Sequence, residues 1–369
     1  MRKASSEITE VYTASQRRLI WVRFKKHRVA LVSAVLVLLF YLAALCVEFV
    51  APYDPDHRLI VQAAAPPMKL HFWDQREQKF HLRPFVYGIK LERDSVTRER
   101  LYVADKEKRH HLRFFVRGDE YRFWGLFSAT RHLFGVEGEQ RLHVFGTDTQ
   151  GRDLFSRVVY ASRTSLTIGF VGVVLSFTIG IVLGTISGYY GGAADVVIQR
   201  IIEVLISIPS LPLWMALSVA IPLTWSVHAV FFFITVILSL TGWTQMARVV
   251  RGKFLSLREE EFVIAARLTG ATPRRVMFRH MVPSFMSHII AMATLAIPGM
   301  ILGETALSFL GIGLRPPAIS WGVLLKDAQN IQSLSLMPWL LIPGGFVVVI
   351  VLAFNFFGDG LRDAADPYG

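Results

Sequence analysis

Six apolar runs, each near or above the roughly 20 residues that a helix needs to cross a bilayer, organise this 369-residue sequence. They run from Val29 to Ala51, Ser165 to Ser187, Val196 to Ile221, Val227 to Met246, Phe285 to Gly311 and Pro338 to Phe357. The charged residues, only 18% of the chain, crowd between them. A soluble domain carries about 25% charged residues. The pattern excludes a soluble globular enzyme and a disordered chain. Cys46 is the single cysteine, so a disulfide scaffold is excluded too. The expected fold class is an all-α membrane protein of six transmembrane helices, with a small β-rich extracytoplasmic insert between helices 1 and 2.

The first run is too long for a signal-peptide core of about 7–15 residues and has no cleavage site after it. It reads as a retained span over residues 29–51. Pro209 and Pro212 interrupt the third run, and Pro298-Gly299 the fifth. Proline inside a span kinks the helix where neighbours satisfy the freed carbonyls.

Lysine and arginine set the orientation, because positive residues stay cytoplasmic. Arg2, Lys3, Arg17, Arg18, Arg23, Lys25, Lys26 and Arg28 precede the first span, and eight more basic residues fall between Arg248 and Ser284. The short alternate loops carry Arg315 and Lys326 alone. Both termini and the 248–284 loop are therefore expected in the cytoplasm. The domains expected are a cytoplasmic segment 1–28, the first helix 29–51, an outside insert 52–160 and a five-helix core 161–369. The insert is basic as well, but loops beyond about 60 residues escape the rule.

In the insert, Lys79-Phe80-His81-Leu82-Arg83 alternates apolar and polar residues. So does Leu112 to Trp124, about a turn at Arg117-Gly118-Asp119-Glu120. This is the pattern of short antiparallel strands and hairpins. Phe72, Trp73, Phe114, Phe115, Phe123 and Trp124 are open to two uses, a partner surface or the insert's own core. His110-His111 lacks the cysteines or clustered carboxylates of a metal site and reads as surface histidine. No metal site is expected.

The insert ends in Gly146-Thr147-Asp148-Thr149-Gln150-Gly151-Arg152-Asp153. Asp148 or Asp153 is placed to cap the next helix. From Leu154 an amphipathic helix is expected, lying at the interface as an elbow before the second span. Asp148, Gly151, Arg152 and Asp153 are the elbow residues, and of these Arg152 and Asp153 fix it through hydrogen bonds and headgroup contacts, or else bind a ligand.

The loop Glu259 to Pro283 is the richest segment. Its acidic triplet suits a helix N-terminus, where the dipole is positive. A short helix through Leu268 follows, with Gly270 as its stop and Pro273 in the first turn of a second helix. Arg274, Arg275, Arg279 and His280 give that second helix a basic face, and Pro283 opens the next span. Basic charge alone fits a loop lying on anionic lipid as well as a protruding knob.

The ordered pattern Ala265-Ala266, three residues, Gly270, then Val282-Pro283 resembles the EAA loop of ABC importer permeases, with Ile264 where the consensus has Glu. Further segments resemble the C-type permeases of the dipeptide/oligopeptide/nickel importers. They are Gly146-Thr147-Asp148 to Arg157, Gly188-Tyr189-Tyr190-Gly191-Gly192 with Asp195, Ile208-Pro209-Ser210, Glu304 to Gly313, Trp321-Gly322 and Phe357 to Asp363. The resemblance implies a bacterial inner-membrane permease working with a homologous B-type permease, two ATPase subunits and an extracytoplasmic solute-binding protein. It implies that Glu261, Ala265, Ala266, Arg267, Gly270, Ala271 and Pro283 couple to an ATPase subunit. Peptides are the first implied substrate; opines, oligosaccharides and nickel chelates pass through similar permeases.

No G-x-x-x-x-G-K-[ST] is present, since Gly252-Lys253 runs into Phe254 without the upstream glycine. No G-x-S-x-G or H-E-x-x-H is present either. The chain is expected to be no enzyme and to bind no cofactor, leaving ATP and Mg to partner ATPase subunits. A mid-bilayer carboxylate must face protein or water. Glu304, on a helix bent at Pro298 and Gly299, either lines the substrate path or gate or caps a broken turn. A stand-alone secondary transporter built on Glu304 is the competing class. A membrane sensor would need a cytoplasmic signalling domain, for which no segment is long enough.

Overall fold

A computed structural model describes residues 16–74, 78–93, 100–136 and 141–365. Arg2 and Lys3 of the basic N-terminal segment lie outside the described residues. The described residues are mostly helical, with one β-sheet among them. It divides into two compact units, one made of Met1–Leu39, Thr167–Leu307 and Val348–Gly369, the other of Phe40–Leu166 and Ser308–Val347.

The helices named here are α1 (Gln16–Lys26), α2 (Arg28–Leu45), α3 (Leu154–Tyr190), α4 (Gly192–Ser207), α5 (Ser210–Val219), α6 (Val227–Leu257), α7 (Glu261–Leu268), α8 (Met286–Phe309), α9 (Trp321–Lys326) and α10 (Ile342–Ala365). Among the described residues, α2, α3, α6, α8 and the segment Pro338–Ala365 are long and apolar enough to cross a membrane. The pair α4 and α5 makes a sixth span if counted together.

That pair is bent more sharply than the kink expected of the third span. Its two helices meet at 87°. Ile208 is extended, at φ −95° and ψ 125°, as a residue before proline prefers, and Pro209 has no N–H to carry the ladder on. At Pro298 the helix is not interrupted: α8 runs through it as one element. The elbow helix is also different. It starts at Leu154 as expected but continues unbroken to Tyr190. At 1.5 Å per residue, its 37 residues extend for about 55 Å.

In the first unit, α3 packs on α6 through small residues. Gly180, Gly184 and Gly188 lie one turn apart, and an added Cβ at each would fall within 2.7 Å of Trp243 O, 2.5 Å of Ala247 O and 2.5 Å of Phe254 Cβ respectively. Ser239 Oγ donates to Gly172 O at 3.0 Å, and Ser176 Oγ donates to Ser239 O at 3.1 Å. Close backbones and hydroxyl bonds hold helices together where lipid offers no hydrophobic drive.

In the second unit, β1 (His71–Asp74), β2 (Lys79–Arg93), β3 (Arg100–Phe123) and β4 (Phe127–Val136) form an antiparallel sheet in sequence order. The expected hairpin at Gly118-Asp119 is instead a bulge inside β3, where the register shifts between Arg117 and Tyr121. Buried His132 presses on it, and an added Cβ at Gly118 would lie 2.7 Å from the imidazole. Glycine here serves close approach rather than a turn. Val86, Val136 and Leu142 form one buried cluster of the insert, and Phe85, Tyr87 and Val116 are buried as well. Phe72, Trp73, Phe114, Phe115 and Trp124 are exposed, so they are not that core. Elsewhere in this unit Trp321 is fully buried. Its indole N–H donates to Val158 O at 3.2 Å, and its backbone N–H to Ser165 Oγ at 3.3 Å.

Candidate functional site

Helix α7 begins at Glu261, with Glu260 as an extended N-cap and Glu261 in the first turn, where negative charge suits the dipole. Its end is a Schellman motif. Gly270 takes φ +81°, its N–H donates to Arg267 O at 3.0 Å, and the Ala271 N–H reaches back to Ala266 O at 3.0 Å. The glycine is required because L side chains rarely adopt that φ. Val263 is the buried anchor of the helix. Glu261, Phe262, Ile264, Ala265 and Arg267 are exposed, Ala266 is half-buried, and Leu268 is 82% exposed. An eight-residue helix thus presents apolar side chains and one small-residue patch with only Val263 buried.

After the Schellman stop, Thr272 is extended and Pro273 opens one α-turn, as expected. The second helix is then widened: Val276–Met281 is π-helical. Val276, Met277 and Met281 are buried, and Arg274, Arg275 and Arg279 are exposed. Pro283 does not open the next span. It sits in the turn Val282–Ser284, the chain breaks at Phe285 (φ −123°), and α8 starts at Met286.

In the first unit Arg267 ties this loop to α3, and a second contact clasps α6 to α4. The Arg267 guanidinium carbon lies 4.9 Å from the ring centroid of Tyr189, at the end of α3. Arg251 near the end of α6 donates from Nε and Nη2 to both oxygens of Asp195 on α4, each at 2.6 Å. Ser187 Oγ also donates to Asp195. Bidentate Arg–carboxylate pairs fix geometry as well as charge. No local pattern signals the Arg251–Asp195 pair, whose members are 56 positions apart. Arg200 and Glu203 only pair with one another, at 2.9 Å on an exposed face.

The same unit holds a cavity of about 570 Å³ whose walls include Phe177, Trp214, Gln245, His288, Gly299 and Arg362. Of the three pathway candidates, Gly299 lines it, while Pro298 and Glu304 do not. Glu304 is fully buried.

The elbow is a closed polar knot. Asp148 accepts from the backbone N–H groups of Gln150 (2.8 Å) and Arg152 (3.0 Å) and from Arg152 Nε (2.6 Å). Asp153 is the helix cap: one carboxylate oxygen accepts from Ser156 N–H and Oγ, each at 2.8 Å, and the other from His143 Nδ1 at 2.9 Å. Gly151, at φ +77°, passes so close to Leu59 that a Cβ would lie 2.1 Å from its carbonyl oxygen. Asp148, Arg152 and Asp153 are buried. Their hydrogen bonds are made within the chain. Burial, and then the Asp148 carboxylate, push the nearby Asp327 carboxyl above its ordinary pKa. Of the histidines, His110 and His111 are half-buried, and no group of three metal-ligating residues forms among the described residues.

Residues 180–368 match the family described as binding-protein-dependent transport system inner membrane component, and residues 15–67 match the N-terminal TM domain of oligopeptide transport permease C. The chain is similar to the oligopeptide transport system permease protein OppC of Bacillus subtilis, with 39% identity over 65% of this chain and 77% of that protein. It is 41% identical to the dipeptide transport system permease protein DppC of Alkalihalophilus pseudofirmus, over 65% of this chain and 77% of that one. Against OppC of Escherichia coli K12 it is 41% identical, over 61% and 72%.

Proposed function

Since the chain belongs to the binding-protein-dependent transport system inner membrane components, as a C-type oligopeptide/dipeptide permease, we propose that it forms half of the path of an ATP-driven peptide importer. It is a transport component and not an enzyme. The peptide assignment rests on the names of its relatives.

Helix α7 carries the mechanical reading. Its exposed apolar side chains, the Ala265-Ala266 patch and the Schellman stop at Gly270 make a short knob suited to a groove on another protein. That protein would be one of two ATPase subunits, which would use the ATP and Mg. Glu261 would steady the start of the knob, and Ala265 and Ala266 would allow close approach. Arg267 would pass the push to Tyr189, and Gly270 and Ala271 would fix the stop. Pro283 would mark the end of the moving loop before the break at Phe285.

The cavity beside Gly299 would be this chain's share of the path, completed by a homologous B-type permease. A solute-binding protein would deliver substrate from outside. In this scheme residues 1–28 and 248–284 face the cytoplasm of a bacterial inner membrane, and the insert 52–160 faces out, in agreement with the basic loops. Buried Glu304, away from the cavity walls, is suited to packing rather than to driving a stand-alone transporter.

Affinity purification of the tagged chain tests the knob. The ATPase subunits should accompany the wild type and be lost with Ala265→Arg, while the chain stays in the membrane. Equal recovery with both would remove α7 from the interface.

A further inference from the structure

The tip of the β3–β4 hairpin carries a short apolar run between arginines. Phe123-Trp124-Gly125-Leu126-Phe127 is flanked by Arg122 and Arg131, with no acidic residue from 121 to 131. Leu126 is 81% exposed, Phe127 59% and Trp124 51%. The rings of Phe123 and Phe127 stack at 5.4 Å across the strand ends. Large apolar side chains gathered at a protruding turn mark a contact with something other than water.

The position of this tip is fixed by bonds. The Trp124 indole N–H donates to Leu45 O at 2.8 Å, and Leu45 is the last residue of the apolar helix α2. Arg163 completes the joint. Its guanidinium lies 4.3 Å from the Trp124 ring, donates to Ala44 O and Leu45 O, and makes two 2.7 Å bonds to Glu48. The hairpin tip is thereby held level with the end of a membrane-spanning helix whose own Leu42 and Leu45 are exposed.

The turn itself bears on this. Trp124 (φ +50°) and Gly125 (φ +74°) are consecutive left-handed residues, and the Leu126 N–H closes the turn on Phe123 O at 2.9 Å. Asparagine or glycine fills the first of these positions without strain. The indole adds the bond to Leu45 and the stack under Arg163.

We infer that residues 123–127 insert into the lipid interface where α2 ends, as a second anchor for the insert. The chemistry is that of an interfacial belt: an amphipathic indole, apolar side chains directed at the acyl boundary, and flanking arginines within reach of phosphates. Continuity with the exposed end of α2 is what commits the surface to lipid rather than to a protein partner.

The test uses the full chain in the complex with which it purifies, in nanodiscs of phosphatidylethanolamine and phosphatidylglycerol. On a Cys46→Ser background, a nitroxide is placed at Leu126→Cys or at Leu101→Cys. Leu101 is 53% exposed and lies near the start of the same strand. The ratio of oxygen to soluble nickel-chelate collisions should be several-fold higher at 126 than at 101. Equal ratios would place the tip in water, and loss of both collisions at 126 would place it under protein. Either result overturns the inference.

Discussion

The guanidinium of Arg267 sits 4.9 Å from the ring of Tyr189, bracing the short helix α7 against the last turn of α3. A cation–π contact of this kind contributes about 0.5–1 kcal/mol at an exposed site. Tyr189→Ala should therefore lower uptake several-fold at unchanged membrane abundance, and Tyr189→Phe, which keeps the ring face, should retain most of it. Uptake of a labelled peptide in cells lacking the native gene, normalised by immunoblot, reads the difference.

The Schellman stop gives a graded series. Alanine at Gly270 would meet a left-handed penalty of about 1–2 kcal/mol. Asparagine is tolerated there more readily. Proline cannot reach φ +81° and lacks the N–H that bonds to Arg267 O. Uptake should fall in the order Gly, Asn, Ala, Pro, with Gly270→Pro inactive, while all four insert equally. Transport by Gly270→Pro at the wild-type rate would remove the stop from the mechanism.

Two glycines in helices should respond oppositely to alanine. An added Cβ at Gly184 would lie 2.5 Å from Ala247 O, so Gly184→Ala should destabilise the detergent-purified protein by roughly 1–3 kcal/mol. Gly252 in α6 has nothing within 4 Å of that position, and Gly252→Ala should stabilise by about 0.5–1 kcal/mol. Thermal unfolding of both variants checks the signs.

Asp327 sets a pH dependence. Its carboxyl is pushed up by burial and by Asp148, so the folded state holds its proton more tightly than the unfolded chain. The contribution is present in full below the ordinary carboxylate pKa. It is lost as pH rises through the raised value. Asp327→Asn should therefore raise the melting temperature relative to wild type more at pH 7 than at pH 4. An equal gain at both pH values would contradict the shift.

Much of this architecture could be read from residues near one another in sequence. The five long spans follow from long apolar runs, and helix α7 from an acidic start and a glycine stop. Asp153 is one of the two caps the elbow sequence offered, and Ser156 N–H shows which is used. What the sequence left open depends on neighbours far along the chain. Proline marks a missing N–H, but its packing decides between the 87° break after Ile208 and the unbroken helix through Pro298. Gly118-Asp119 has the composition of a turn, and buried His132 makes it a bulge. The Arg251–Asp195 clasp and the Trp124–Leu45 bond join residues more than 50 positions apart, beyond any local pattern.

In the proposed mechanism the push on α7 comes from a nucleotide-hydrolysing partner. Proteoliposomes containing this chain, its second permease, the ATPase subunits and the binding protein should accumulate labelled peptide only when ATP is supplied. Vesicles lacking the ATPase subunits should accumulate none. Peptide accumulation by the ATPase-free vesicles at a comparable rate would contradict the account.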